Sequence, residues 1–207
     1  MRAIQLFRRG LLLCIAIAGV PFARSATPTL PNQRDRQVLE SLLVHLLADP
    51  KFDVTRVPTT NGTSILLHVR TPEKTGFLMA GQIHSDIGNY RLPDDTESNL
   101  RQRNTPADAK PDSYDSVSAS YTNLTFASGI VVADLDKTWK KLGGFEESYP
   151  TARGWLQAYL PGYSTDGTHA VVRASVGPWA HAAMLTAVLE KSGDKWLVKW
   201  YHIARFV

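Results

Sequence analysis

Three consecutive residues carry the chemical groups of a hydrolase triad. They are His84, Ser85 and Asp86, and such a triad uses the serine as nucleophile, the histidine as base and the aspartate to orient the base. Consecutive side chains diverge from the backbone, so these three cannot stack in that order, and no G-x-S-x-G elbow surrounds the serine. We therefore expect a surface turn or helix, with Ser85 and a distant histidine as the alternative that would make a weak hydrolase.

Three histidines fall in the C-terminal third, at His169, His181 and His202. Imidazoles from adjacent strands bind zinc when they converge. No H-x-H or H-E-x-x-H spacing supports convergence here. We predict ordinary strand and loop histidines and no metal site.

The paired acidic residues lack the geometry of known carboxylate sites. Glu146-Glu147 and Asp94-Asp95 are neighbours in sequence and cannot face each other as a glycosidase pair does. Asp134-x-Asp136 lacks the remaining ligands of a calcium loop. There is no glycine-rich phosphate loop, so we predict no cofactor. Arg101 and Arg103, in the helix predicted at 94–103, are expected on a solvated face, with an anion site as the alternative.

Trp179 and His181 are the residues that we predict to contact a partner. The chain has five tryptophans, and we expect the other four to pack in the core or on the sheet. Trp179 follows Gly177-Pro178 in a loop. An exposed loop with an indole and an imidazole can bind a glycan or a protein, whereas the alternative is packing over the sheet edge.

The elements that must position these residues begin with a helix at 33–48. Asn32 can cap this helix, and six apolar residues recur at helical spacing: Val38, Leu39, Leu42, Leu43, Leu46 and Leu47. Further along, patterns predict a strand at 64–70, short helices at 82–86 and 94–103, and a long surface loop at about 104–123.

The C-terminal third alternates strand patterns with tight turns. The strand candidates are 155–160, 168–175, 183–190 and 196–206, which indicates three or four antiparallel strands in a meander. We therefore predict an α+β fold: an N-terminal amphipathic helix packed on a mainly antiparallel sheet with a C-terminal β-meander.

The first 25 residues have the three-part pattern of a secretory signal peptide. Arg8-Arg9 precede an apolar run from Leu11 to Val20, and Ala23 and Ser25 supply the small residues of a cleavage site. We expect a signal peptide at 1–25, a flexible tail at 26–32, and one domain at 33–207. Export to the periplasm or the medium follows, and a membrane contact would come only through an uncleaved leader.

Charge and cysteine content exclude several classes of function. Four of the 23 basic residues lie in 1–25, which has no acid, so the other 19 basic residues balance the 19 acidic ones. A nucleic-acid partner is therefore not expected. The single cysteine, Cys14, lies in the leader, and a mature chain without it has no disulfide, thiolate zinc site or cysteine nucleophile.

Segments across most of the mature chain resemble a group of uncharacterised bacterial exported proteins. These carry a GyxxDGxxAvV strand followed by a vLLEKxxGxWxV hairpin, and the matching segments here are 160–172, LPGYSTDGTHAVV, and 188–198, VLEKSGDKWLV. Residues 71–78 and 100–104 also look like the middle region of that group. Many relatives have a cysteine-containing link where this chain has VGPWAH at 176–181. The resemblance implies bacterial export and an α+β domain, and no activity.

The ending at 193–198 is also similar to the last hairpin of cone-shaped folds like that of nuclear transport factor 2, which hold a ligand pocket. The expected function is a non-catalytic binding domain of the envelope or the medium, with a protein or a glycan as partner. The alternative is a small-ligand pocket protein or a weak hydrolase.

Overall fold

The computed structural model describes residues 30–50, 52, 62–76, 78, 82–110, 113–139, 144–177 and 183–204. Within these ranges the chain forms a mixed sheet of seven strands with five helices, which confirms the predicted α+β class. The elements in chain order are α1 (Gln33–Ala48), β1 (Ser64–His68), α2 (Gln82–Ile87), α3 (Asp94–Asn104), β2 (Ile130–Ala133), α4 (Asp136–Trp139), α5 (Gly144–Ser148), β3 (Ala152–Ala158), β4 (Gly162–Tyr163), β5 (His169–Gly177), β6 (Ala183–Ser192) and β7 (Lys195–Ala204).

The sheet combines a parallel part with an antiparallel part. Its strand order is β2-β1-β3-β5-β6-β7, and β4 pairs with β5. β1 pairs in parallel with both β2 and β3, whereas the pairs from β3 onward are antiparallel. Parallel strands need long crossover connections, and the segments before β2 and between β2 and β3 provide them. The sequence patterns predicted the C-terminal strands but not this parallel pairing.

Helix α1 starts with a capping box. The Asn32 side chain accepts a hydrogen bond from the Asp35 N–H at 3.1 Å, and the Asp35 carboxylate accepts one from the Asn32 N–H at 2.9 Å. These two bonds satisfy amide groups that the first turn of a helix leaves unpaired. The helix therefore begins at a defined residue, next to the cleft described below.

The sheet is covered on both faces. The buried side chains of α1 share one hydrophobic cluster with residues of β1, β5 and β6, such as Ile65 and Val172. A second cluster on the opposite face joins Ile83 and Leu100 to Val171. Val171 and Val172 are neighbours in β5, and adjacent residues of a strand point to opposite faces. This explains why both of them are buried.

Gly162 marks the closest approach between α3 and the sheet. A Cβ atom built on Gly162 would lie 2.5 Å from Leu100 Cβ and 2.6 Å from the backbone oxygen of Thr96. Backbone atoms cannot move aside as a flexible side chain does, so only glycine fits here. The close approach holds α3 beside β4.

We expect Gly162→Ala to lower the free energy of unfolding by about 1–3 kcal/mol, the usual cost of overpacking. Gly76→Ala is the matched control, because a Cβ at Gly76 meets no atom within 4 Å. Urea denaturation followed by tryptophan fluorescence measures both variants. Equal midpoints for the two alanine variants would contradict the prediction.

Candidate functional site

The two residues that we predicted to bind a partner, Trp179 and His181, lie outside the described residues. The partner-binding loop therefore stays a prediction. Among the other tryptophans, Trp155 and Trp196 are buried in the clusters of the core, as expected, and Trp200 packs half-buried against the second cluster.

The triad residues of α2 contact different partners. His84 Nδ1 contacts the carboxylate of Glu97 on α3, while the carboxylate of Asp86 contacts the guanidinium of Arg173 on β5. Ser85 is exposed between them. The three side chains therefore do not stack as nucleophile, base and orienting group.

The described histidines of the meander do not converge either. His169 pairs in register with Glu190, whereas His202 pairs with Thr186. These partners are four residues apart on β6, or about 13 Å at the rise of a strand. The arrangement gives these two imidazoles no common metal.

A polar cleft lies where the N-terminal end of α1, one face of α3 and the segment after β4 meet. Its volume is about 510 Å³, and ten described side chains or backbone groups line it. The lining residues are Asn32, Arg34, Asp95, Ser98, Asn99, Gln102, Arg103, Tyr163, Ser164 and Thr165. All of them are polar or carry a polar group, so the cleft offers hydrogen bonds rather than an apolar pocket.

A buried ion pair forms the base of this cleft. The Arg103 guanidinium donates two hydrogen bonds to the Asp35 carboxylate, at 2.7 and 2.9 Å, and the Tyr163 hydroxyl donates a third at 2.7 Å. Asp35 is fully buried. The prediction that Arg103 lies on a solvated helix face was wrong, because a buried carboxylate 68 residues away in sequence pairs with it.

The pKa values of this network follow from its burial and its charges. Burial, followed by the charge of Asp35, raises the pKa of Tyr163 above its ordinary value. Burial alone would lower the pKa of Arg103, but the hydrogen bond and the charge of Asp35 outweigh it and raise that pKa. Tyr163 therefore stays a protonated donor and Arg103 stays a cation, so the base of the cleft keeps one fixed hydrogen-bond pattern.

The walls of the cleft carry one more cation and one carboxylate. The Arg34 guanidinium carbon lies 3.8 Å from the centre of the Tyr163 ring, in cation–π contact, and Arg34 also donates to the Gly167 carbonyl at 3.2 Å. Asp95 accepts a hydrogen bond from the Thr165 N–H at 2.8 Å, and hydrogen bonds from Thr165 lower the pKa of Asp95. The exposed carboxylate is thus ionised at neutral pH.

The exposed part of the lining includes hydrogen-bonding side chains on α3. Asp95, Ser98 and Gln102 are exposed along one face of α3, at spacings that place them on neighbouring turns of a helix. None of the ten described lining residues is a histidine or a cysteine. The lining therefore lacks the imidazole base or thiolate that a serine or cysteine hydrolase would place beside its nucleophile.

A second polar cluster lies at the end of β1. One ligand-type atom from each of His68, Asp134 and Asp136 lies within 4.8 Å of the others. The spacing of the two aspartates by itself indicates only an incomplete calcium loop. No local pattern connects them with His68, because the parallel pairing of β1 and β2 brings the histidine to this position.

No described helix is long and apolar enough to cross a membrane. Comparisons of the chain with protein-family models, with curated proteins and with solved structures gave no match.

Proposed function

We propose that the chain is an exported bacterial protein whose α+β domain is a non-catalytic binding module of the cell envelope, and that the polar cleft binds a glycan. The signal-peptide pattern at 1–25 and the resemblance to exported proteins support the export. The cleft, and not the loop with Trp179 and His181, is the binding surface that the described residues support.

The proposed architecture is the N-terminal amphipathic helix packed on a mainly antiparallel sheet that ends in a meander. The cluster shared by the α1 side chains and the strands supports it. Leu39, Leu42 and Leu43 have no measurable exposure, so the space between α1 and the sheet is filled at these residues. A cone-shaped fold with a small-ligand pocket needs that space open, which disfavours the pocket alternative.

One observation carries the proposal: an open cleft of about 510 Å³ that is lined by polar groups and rests on a buried ion-pair network. A glycan presents many hydroxyls that both donate and accept hydrogen bonds. The Gln102 amide, the side-chain nitrogen of Asn99 and the Ser98 hydroxyl are complementary to such a ligand, whereas Asn99 Oδ1 already accepts from the Tyr163 N–H at 2.9 Å. The network under the cleft keeps it in one conformation, which lowers the entropy cost of binding.

The test is co-sedimentation of the full chain, recovered from an envelope fraction, with purified peptidoglycan sacculi. We expect binding by the wild type and an affinity at least tenfold lower in Ser98→Ala/Gln102→Ala. These two exposed α3 side chains leave the buried network intact, and alanine is a good helix former. Ser85→Ala is the matched control, because Ser85 is exposed on α2 and does not line the cleft, and its binding should equal that of the wild type.

Further measurements distinguish the cleft from the 176–181 loop, a glycan from a protein partner, and binding from ester hydrolysis. If Trp179→Ala/His181→Ala loses binding while the α3 variant keeps it, the glycan site lies on the 176–181 loop and the cleft assignment is wrong. If the wild type does not bind sacculi but captures an envelope protein, the partner is a protein and the glycan proposal fails. Ester hydrolysis by the wild type that Ser85→Ala abolishes would instead favour the hydrolase alternative.

A further inference from the structure

We propose that His68, Asp134 and Asp136 form a binding site for one divalent transition-metal ion of the zinc class. The site is separate from the glycan cleft and uses other elements of the fold. Two neighbouring aspartates alone would be an ordinary acidic turn. The feature that distinguishes this cluster is an imidazole that is 1% exposed and faces both carboxylates.

The parallel pairing of β1 and β2 creates the arrangement. His68 is the last residue of β1 and lies opposite Ala133, the last residue of β2. Asp134 follows Ala133 directly, and Asp136 begins α4. The carboxyl ends of parallel strands meet at one edge of a sheet, which is where ligands bind in open sheets of this kind. The sheet therefore delivers a histidine and two carboxylates to the same edge.

The distances suit a small ion. His68 Nε2 lies 3.3 Å from Asp136 Oδ1. With metal–ligand bonds of about 2.0–2.2 Å, two ligand atoms of a tetrahedral zinc site lie about 3.4 Å apart. Asp134 Oδ1 accepts a hydrogen bond from the Asp136 N–H at 3.3 Å, which holds this carboxylate over the turn. The Asp136 side chain is 47% exposed, so it can rotate toward an ion that His68 Nε2 and the Asp134 carboxylate also bind.

The other nitrogen of His68 contacts the backbone of Arg70. Nδ1 lies 3.2 Å from the carbonyl oxygen of Arg70 and 3.0 Å from its N–H nitrogen. One tautomer accepts from the Arg70 N–H and directs Nε2–H at Asp136. The other donates Nδ1–H to the Arg70 carbonyl and leaves the Nε2 lone pair toward the carboxylates, as metal-binding histidines usually do. In this second tautomer the Arg70 N–H loses Nδ1 as its acceptor, so metal binding requires a small shift of the Arg70 peptide.

The donor set indicates the kind of metal. One imidazole nitrogen with two carboxylate oxygens is a donor set between hard and soft. It favours Zn²⁺ over the hard ions Mg²⁺ and Ca²⁺, which prefer only oxygen ligands. Three protein ligands complete a zinc site when a water molecule takes the fourth position.

The test is isothermal titration calorimetry of the untagged, chelator-treated full chain with ZnCl₂. We expect one Zn²⁺ per chain, and an affinity at least tenfold lower in both Asp134→Asn and Asp136→Asn. These isosteric changes lie at partly exposed positions, so they test the site even if His68→Gln fails to fold. In ¹⁵N NMR spectra, the Nε2 resonance of His68 should shift on Zn²⁺ addition, because Nε2 is the predicted ligand atom.

The matched control is His84→Gln. His84 also lies beside two carboxylates, but Nδ1 contacts Glu97 while Nε2 faces Asp94 at 3.5 Å. These partners are on opposite sides of the ring and cannot share one ion, so we expect unchanged Zn²⁺ affinity.

The proposal is overturned if the wild type binds no Zn²⁺ up to about 1 mM, a weak limit for a specific site, or if His84→Gln loses binding while both asparagine variants keep it. The cleft variant Ser98→Ala/Gln102→Ala should bind Zn²⁺ normally, so failure of the glycan proposal leaves this result unaffected.

Discussion

Replacing Arg103 with methionine should lower the free energy of unfolding by about 3–5 kcal/mol, because it leaves a carboxylate buried without its counter-charge. Asp35 is fully buried and takes two hydrogen bonds from the Arg103 guanidinium. The Tyr163 hydroxyl and the Asn32 N–H remain as donors in the variant, but neither carries a positive charge. With a typical total stability of about 5–15 kcal/mol, the loss is a large part of the whole. Urea denaturation with tryptophan fluorescence measures it.

The control for Arg103→Met is Lys74→Met. Lys74 and Asp115 also form an ion pair, at 2.5 Å, but both side chains are mostly exposed, and water screens such pairs. We expect no measurable change. In the double variant Asp35→Asn/Arg103→Met the buried charge is gone, so part of the stability should return. An Arg103→Met variant as stable as Lys74→Met would show that Asp35 does not depend on its partner.

The second large effect is expected at Asp86. Arg173 is 1% exposed on β5, and its guanidinium contacts both Asp86 and the Thr186 hydroxyl. Asp86→Ala removes the carboxylate and leaves the guanidinium with a neutral hydroxyl. Asp86 is itself slightly exposed, so we expect a loss of about 3 kcal/mol, at the lower end for a broken buried pair. The same pair fastens α2 to the sheet.

Hydrogen exchange distinguishes the loss of this link from a general loss of stability. The α2 amides should exchange faster in Asp86→Ala than the amides of β5 and β6, because only α2 loses its attachment. Ser85→Ala, one residue earlier and exposed, should change stability by less than about 0.5 kcal/mol. Equal unfolding midpoints for Asp86→Ala and Ser85→Ala would contradict the prediction.

Local signals predicted much of the secondary structure. The cap at Asn32 and the leucine spacing gave α1 from residue 33 to 48, as the structure has it. The turns of the C-terminal third placed the four predicted strands to within a few residues. These features depend on neighbours in sequence, which periodicity and turn residues report directly.

The sites depend on contacts that no local pattern contains. The cleft combines residues near 32, 95–103 and 163–165, so its lining is adjacent only after α3 docks on β4. The sequence places Asp35 in the first turn of a predicted helix. No sequence pattern identifies Arg103 as its partner. His68 and Asp134 meet through a parallel pairing that alternation along a single strand does not predict.

The double role of Asp35 links two parts of the unfolding reaction. The carboxylate that completes the first turn of α1 is the same one that holds α3 through Arg103. When α3 leaves the sheet, this carboxylate loses its cation, and the amino end of the long helix loses its support. The two helices should therefore melt in a single cooperative step, although they are separated by 45 residues of intervening chain.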